Sequence, residues 1–135
     1  MKSTATKGLL ALTVLFAAPL WAAPHFEDIV VSDEKGGDAA ESFAPDTAKI
    51  FLRAHMADIA NGSKITAAWI AVDTNGVAPA NYKIDSAEFV AGALTNTIDT
   101  NMSKPNKGWP VGKYRVDLSV DGKPAGTARF TVEAD

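Results

Sequence analysis

Two histidines are the residues of this chain best suited to hold a metal ion, because cysteine is absent. If a leader is removed ahead of Ala23, His25 is the third residue of the mature chain. Such a terminus can wrap Cu(II) in amine, amide and imidazole nitrogens, which suits that ion's square-planar preference. Pro24 has no amide proton to release, however, so the full chelate cannot form. His55 lies on the outward face of a predicted strand, and a two-histidine site requires that strand to neighbour the segment carrying His25.

The sequence contains no recognisable catalytic set. Nucleophilic catalysis needs a nucleophile, a base and a group that orients the base. The chain has two histidines and no G-x-S-x-G turn. The closest paired carboxylates, Asp85 and Glu88, lie in a weakly patterned strand with no partner to make one of them an acid. We therefore expect a protein that is not an enzyme and that needs no cofactor, with copper as the alternative.

Three aromatic residues are the best candidates for a binding surface. Trp109 lies in a predicted loop, Phe51 lies on the polar face of a strand, and Trp69 lies in a strand that is apolar on both faces. Exposed aromatic rings of this kind bind sugars or protein side chains. The alternative for Trp109 is a hydrophobic plug over one end of the domain, beside Tyr114. The leading hypothesis is a non-catalytic binding module whose ligand is a protein or a glycan.

The first 22 residues have the pattern of a secretory leader. Lys2 and Lys7 precede an apolar run over 8–20, and the small residues Ala22 and Ala23 follow it. The domain organisation predicted is a cleaved leader over 1–22, an N-terminal strand and acidic loop over 23–46, and the remainder of one domain over 47–135. We therefore expect a periplasmic or secreted protein with no membrane span in its mature form.

The charge of the mature chain disfavours two classes of partner. Without Lys2 and Lys7, 11 basic residues face 16 acidic ones, which gives a net charge of −5. Phosphate backbones and anionic membrane surfaces both require a basic face. A partner in the cell envelope is expected instead, and a further alternative is an accessory subunit of an envelope complex.

Alternation of apolar and polar residues predicts an all-β fold of about seven short strands, with no disulfide. The clearest alternation runs from Lys113 to Val120, with Tyr114 among the inward residues. Residues 49–56 and 128–132 alternate in the same way, and Phe130 points inward in the last strand. Residues 65–72 are apolar on both faces, which is typical of a central strand or of one that presents an apolar face to a partner.

The last hairpin yields a prediction about its register. A two-residue turn at Asp121-Gly122 pairs Val120 with Lys123, and this register would place Lys113 opposite Phe130. Residues that face each other across a ladder share one side of the sheet, so one extra residue must be absorbed. We expect either a three-residue loop with Gly122 in the left-handed region or a bulge at Gly126.

The segment from Pro110 to Tyr114 resembles the corner that opens the sixth strand of immunoglobulin-like and fibronectin-type domains. In those domains a tyrosine hydroxyl bonds to the backbone a few residues upstream. Trp69 is similar to the core tryptophan of the same architecture. The resemblance implies an antiparallel, immunoglobulin-like β-sandwich.

The C-terminal hairpin is also similar to that of the CopC-type periplasmic copper-resistance carriers. The matching residues are Pro110, Gly112, 114–117, 121–126 and 130–132. The resemblance implies Cu(II) ligands from an N-terminal histidine and from an Asp-x-His pair. Asp121 matches the aspartate, whereas Lys123 occupies the histidine position and a protonated lysine cannot ligate. His25, His55 and Asp121 are therefore the ligands that this alternative would use.

Overall fold

The computed structural model describes residues 23–134, so the predicted leader lies outside the described residues. Within that range the chain forms strands and no helix. The strands are β1 (His25–Ser32), β2 (Ser42–Phe43), β3 (Lys49–Ala57), β4 (Lys64–Asp73), β5 (Tyr82–Val90), β6 (Thr97–Ser103), β7 (Gly112–Val120) and β8 (Lys123–Val132). Across residues 23–134 there is accordingly no helix long and apolar enough to cross a membrane.

The strands form two packed sheets, as the all-β prediction requires. One sheet has the order β1-β3-β6, and the other has the order β2-β8-β7-β4-β5. All pairings are antiparallel except that of β2 with β8. The described residues thus contain the seven strands expected and one more. The eighth strand, β2, lies inside the segment that was predicted to be an acidic loop.

A buried phenylalanine explains the additional strand. Phe43 packs edge to face on Phe130, with ring centroids 5.6 Å apart. This contact holds the end of the acidic segment against β8, where Phe43 pairs with Val132. The isolated apolar residue in a polar segment was the signal for this strand, but a two-residue strand has no periodicity to detect.

The alternating stripes form the core, as predicted. On β3 the residues Ile50, Leu52 and Ala54 are buried, and β7 buries every second residue from Tyr114 onward. The core is centred on Phe130: the Tyr114 ring stacks on it with centroids 5.1 Å apart, and the Trp69 ring meets it edge to face with centroids 6.3 Å apart. Burial of these large side chains supplies the main stabilisation in a domain that has no disulfide.

The β7–β8 hairpin has a two-residue turn and absorbs the extra residue in a bulge. Asp121 and Gly122 both have positive φ, at 50° and 84°. Val120 pairs with Lys123, and the register shifts so that Leu118 pairs with Gly126. The bulge beside Gly126 is the second of the two predicted solutions, and it brings Tyr114 opposite Phe130 as the apolar stripes require.

The central strand β4 is buried on its inner face and partly covered on its outer face. It lies between β5 and β7, with Trp69 facing the core. On the outer face Ile70 pairs with Arg115, and Ile70 is nevertheless buried. The Arg115 side chain is fixed across this face because its Nε donates to Asp117 and its Nη1 donates to Asn81 at 2.7 Å. Ala68 and Val72 on the same face are half-buried, so the apolar outer face of β4 is covered in part.

Candidate functional site

An apolar pocket lies at the end of the sandwich where β4 leads into β5 and β6 leads into β7. Residues 74–81 and 104–111 form the two connecting loops. In the first loop Asn75 and Gly76 have positive φ, which an Asn-Gly pair tolerates well. The Thr74 hydroxyl accepts a hydrogen bond from the Ala78 amide at 3.0 Å. This local bonding holds the loop so that Val77 stands out into solvent.

Trp109 forms the buried wall of the pocket and ties the second loop to a third. Its amide donates to the Pro45 carbonyl at 2.9 Å, and its Nε1 donates to the Thr47 carbonyl at 2.8 Å. Its ring also meets Tyr114 edge to face, with centroids 5.9 Å apart. Because the indole nitrogen and the ring are both engaged, this wall is rigid.

A tyrosine corner fixes the start of β7 behind the pocket. The Tyr114 hydroxyl donates to the Pro110 carbonyl, four residues upstream, as the resemblance to immunoglobulin-like domains implies. Burial raises the pKa of Tyr114 to about 12. Gly112 has a φ of 153°, and a Cβ there would collide with the Asp73 carbonyl oxygen and lie 2.8 Å from the Thr74 Cα. Only glycine allows β7 to approach the end of β4 so closely.

The pocket has a volume of about 400 Å³, within the range of small-ligand and side-chain sites. Its rim carries Val77, which is 70% exposed, and Tyr82, which is 50% exposed. The lining consists mainly of apolar groups, namely Ala71, Val77, Ala78, Tyr82, Ile84, Pro105, Trp109, Pro110 and Tyr114, with Thr74, Asn106, Lys107 and Gly108 completing it. Among residues 23–134 no carboxylate lines this pocket, although the chain carries a net charge of −3. Its chemistry suits an apolar group and offers few hydrogen-bonding side chains.

Two of the three aromatic residues predicted to form an exposed binding surface are buried. Trp69 and Trp109 are each 2% exposed, so neither presents a face to solvent. Trp69 is in the core because it alternates in phase with Ile65, Ala67 and Ala71, the other buried residues of the inner face of β4. Trp109 is the plug beside Tyr114 that the alternative interpretation described. Phe51 is half-buried between Ser32 and Asn101 on neighbouring strands and lies away from the pocket.

The structure places the predicted metal ligands at the opposite end without assembling them. His25 is opposite Ala57, and Glu27 is opposite His55, so the two histidines are diagonal neighbours on one face. The ring of His25 bonds the Ala23 carbonyl and the Glu27 carboxylate, both at 2.9 Å. These two hydrogen bonds raise the pKa of His25 above 6.5, and the bond to the Ala23 carbonyl makes the larger contribution.

Asp121 does not join the histidines. Its carboxylate accepts from the Lys64 amide at 2.9 Å and so closes the end of β4. Among residues 23–134 no group of three or more histidine, cysteine, aspartate or glutamate side chains is arranged to hold a metal ion. The ligand set implied by the copper-carrier resemblance is therefore not brought together in the described part of the chain.

A second concave surface is polar and balanced in charge. It has a volume of about 460 Å³ and is lined by Glu41, Ser42, Val72, Lys113, Tyr114, Arg129, Phe130, Thr131 and Glu133. Two basic and two acidic side chains share it. Its composition is that of a solvated sheet edge, and it shows no preference for one sign of charge.

Sequence reasoning missed the residues that form the rim of the apolar pocket. Val77 lies within the loop of residues 74–81, Tyr82 is the first residue of β5, and neither belongs to an alternating stripe. The available signal was an apolar residue directly after an Asn-Gly turn, where solvated loops usually carry polar side chains.

The fold is similar to those of two solved bacterial proteins. No family model matches the chain, and no curated protein is significantly similar to it in sequence. An immunoglobulin-like protein from Pseudomonas aeruginosa shares 13% identity at a TM-score of 0.56, covering 85% of this chain and 100% of that chain. The Pseudomonas fluorescens alkylpurine DNA glycosylase AlkC, bound to DNA with an abasic site analogue, shares 17% identity at a TM-score of 0.50. That alignment covers 82% of this chain but 30% of the glycosylase.

The domain is an immunoglobulin-like β-sandwich. Two sheets, the tyrosine corner on β7, the core tryptophan on β4 and the structural neighbour agree on this class. At such low identity the likeness concerns the fold, and function has to be argued from the site itself.

Proposed function

We propose that the chain is an exported, non-catalytic binding module that recognises an apolar side chain of a protein partner in the cell envelope. The observation that carries the proposal is the apolar pocket between residues 74–81 and 104–111, with Val77 and Tyr82 exposed on its rim. Export rests on the leader pattern of residues 1–22. The proposal of a non-catalytic role rests on the engagement of His25 by Ala23 and Glu27, and on the Thr97 hydroxyl opposite His55, which donates to Asn96 and not to the imidazole.

The lining of the pocket favours a protein side chain over a glycan. Sugar recognition combines an aromatic face with several convergent hydrogen-bonding groups, since each hydroxyl leaving water needs a partner. Thr74 is already bonded to Ala78, and Trp109 directs its indole nitrogen to Thr47. Asn106 and Lys107 are the other polar side chains of the lining, and the surface around them is apolar, which suits a leucine or phenylalanine side chain.

The charge of the pocket rim further limits which partners the pocket can bind. Lys107 lines the pocket, and Lys104 lies in the same loop. Neither lysine has an ion-pair partner within residues 23–134. A basic rim attracts a segment that carries acidic residues beside its apolar side chain.

The test is an NMR titration of ¹⁵N-labelled mature protein recovered from the periplasm of cells expressing the full chain. The probe is a blocked pentapeptide with leucine at its centre and two acidic residues on each side. We expect saturable shifts at Val77, Tyr82 and Trp109, with a Kd on the order of 1 mM for so short a ligand. The same peptide with a central serine should bind at least about tenfold more weakly, because it lacks the apolar group.

Matched variants separate the pocket from exposed apolar surface in general. Val77→Asp and Tyr82→Ser should abolish the shifts, whereas Leu94→Ser should leave them unchanged because Leu94 is 100% exposed at the other end. The proposal fails if the leucine peptide produces no saturable shifts at the pocket, or if Val77→Asp binds it as well as the natural chain does. Binding of a neutral oligosaccharide at the same residues, with no peptide binding, would assign the site to glycans instead.

A further inference from the structure

The two sides of the sandwich differ in how their edge strands are protected. On one side β1 packs close to β8, where a Cβ at Gly126 would lie 3.1 Å from Ile29 Cδ1, and β2 covers the outer edge of β8. On the other side β5 ends the five-stranded sheet and β6 ends the three-stranded sheet. Edge strands present unpaired N–H and C=O groups, and natural proteins usually block them.

Strand β5 carries several of the usual devices against pairing. Its register with β4 shifts between Trp69 and Ile70, which inserts Ile84 as an extra residue in β5 and bends the edge. Asp85 accepts a hydrogen bond from the Ser86 amide at 2.8 Å, so this donor is satisfied within the strand. Lys83, Asp85 and Glu88 add charges along it. An edge strand without these features would be open to pairing with another chain.

Strand β6 lacks those devices. It pairs with β3 through seven consecutive positions without a register shift, from Lys49 opposite Ser103 to His55 opposite Thr97. It contains no proline or lysine, and Asp99 is its one charged residue. Within residues 23–134 its pairing partner is β3, and its outer edge has no strand beside it.

We propose that β6 pairs antiparallel with β6 of a second copy of this chain, about a two-fold axis at Thr100. In this register Ile98 faces Met102 of the other copy, and Asp99 faces Asn101. The remaining pairs are Thr97 with Ser103 and Thr100 with itself.

Every pair in this register is compatible. Ile98 is buried and Met102 packs on the core, so the inward stripes of the two copies continue each other across the axis. The outward pairs are polar, and no two like charges face each other. A shift of the axis to Asp99 would place two carboxylates opposite each other. A shift of the axis to Asn101 would leave two residues of each β6 strand unpaired and place Thr100 opposite Met102. The strand is therefore self-complementary in one register, which is the requirement for an isologous two-fold interface.

The dimer is expected to be weak, because a single pair of edge strands buries less surface than a stable interface requires. The experiment is sedimentation analysis of the mature protein from about 10 µM to 1 mM, in which a Kd on the order of 100 µM is expected.

Two substitutions at one exposed position should act in opposite directions. Asn101→Asp places a like charge opposite Asp99 twice per dimer and should raise Kd about tenfold. Asn101→Lys creates an opposite-charge pair at the same two places and should lower Kd about threefold, an effect that salt should reduce. Ser86→Asp and Ser86→Lys on β5 are the matched controls and should leave Kd unchanged.

The outcomes are distinct from those of the peptide titration, because β6 is not part of the pocket. A chain that stays monomeric up to about 1 mM overturns the proposal. A dimer whose Kd is the same in Asn101→Asp and Asn101→Lys also overturns it, since such a dimer uses another surface. Circular dichroism of each variant verifies that the fold is intact.

Discussion

The two ends of the sandwich expose apolar side chains to a similar extent, but at one end those side chains border an apolar pocket. At the pocket end Val77 is 70% exposed, and at the opposite end Val90 is 74% and Leu94 is 100% exposed. Behind Val77 lie Trp109 and Tyr114, both hydrogen-bonded to backbone carbonyls of other segments. Exposure alone is common on protein surfaces, whereas exposure beside a concave and rigid wall is the feature that indicates binding.

The opposite end is closed by turns and charges. The Asp121-Gly122 turn is tied to β4 through the Lys64 amide, and His25 is paired with Glu27. These contacts involve small or exposed groups. We therefore expect substitutions at the pocket end to cost far more stability than equivalent substitutions at the opposite end.

The largest difference is expected between two glycines with positive φ. Gly112→Ala should destabilise the domain by at least about 5 kcal/mol, because the new Cβ meets the Asp73 backbone, which cannot move without disrupting β4. Gly122→Ala should cost about 1 kcal/mol, since its Cβ meets nothing within 4 Å and the cost is that of backbone strain alone. Urea unfolding followed by circular dichroism measures both values. Equal losses would show that the close approach at Gly112 is not a constraint.

Two apolar truncations test the same contrast at the level of side chains. Trp109→Ala should cost about 4 kcal/mol, because it opens a cavity and leaves the Thr47 carbonyl without its donor. Leu94→Ala should change stability by less than about 0.5 kcal/mol, because nothing is buried there. Thermal unfolding of the two variants and the natural chain measures both changes in stability. A large loss in Leu94→Ala would mean that this residue is covered in solution, for example by a partner.

The tyrosine corner should make a smaller contribution that depends on pH. Tyr114→Phe removes one hydrogen bond and should cost about 1 kcal/mol at pH 8. The folded-state pKa of Tyr114, about 12, is higher than the ordinary value of 10.0, so folding favours the protonated hydroxyl. Its contribution is therefore complete below pH 10 and is lost as the pH rises toward 12.

Unfolding of Tyr114→Phe and the natural chain in urea at pH 8 and pH 11 measures this effect. The difference in stability between the two should shrink at the higher pH, because the phenylalanine does not titrate. Tyr82→Phe is the control, since Tyr82 is half exposed. A difference that grew with pH would contradict the assignment of the raised pKa to burial of Tyr114.

The smallest effect is expected at the opposite end, in the titration of His25. Hydrogen bonds to the Ala23 carbonyl and to Glu27 raise its pKa above 6.5. Glu27→Gln should lower this pKa toward 6.5 without reaching it, because the Ala23 carbonyl remains. The stabilisation from this pair is present below pH 6.5 and disappears as the pH rises through the folded-state pKa. NMR titration of the imidazole protons measures the change, and an unaltered pKa in Glu27→Gln would exclude Glu27 as a cause.

Much of the fold was predictable because it depends on local alternation. The stripe on β7 and the alternation on β3 each identify a strand and its buried face without reference to the rest of the chain. The bulge at Gly126 was also predictable. The sequence shows which residues of β7 and β8 face inward and how long the turn is, and the inward residues can pair only if one extra residue is absorbed. The strand β2 was missed because a pair of residues held by Phe43 has no period.

The candidate site was less predictable, because a pocket is a relation between loops distant in sequence. Trp109 was noticed for its type, yet its role as a buried wall depends on Pro45 and Thr47, which lie more than sixty positions earlier. Val77 and Tyr82 gain importance from that wall, and the local signal, an apolar residue directly after an Asn-Gly turn, does not reveal the wall. The predicted metal ligands failed to assemble for the same reason, since the register between β1 and β3 decides which side chains meet.

By itself the amino-acid sequence determined the class of fold, the strands and their inward faces, because side-chain alternation and turn residues act over a few positions. Tertiary structure alone decided which tryptophans are buried, which loops enclose a pocket and which edge strand is left without protection. Those properties depend on contacts between segments far apart in the chain, where packing and register, and not local preference, determine the outcome.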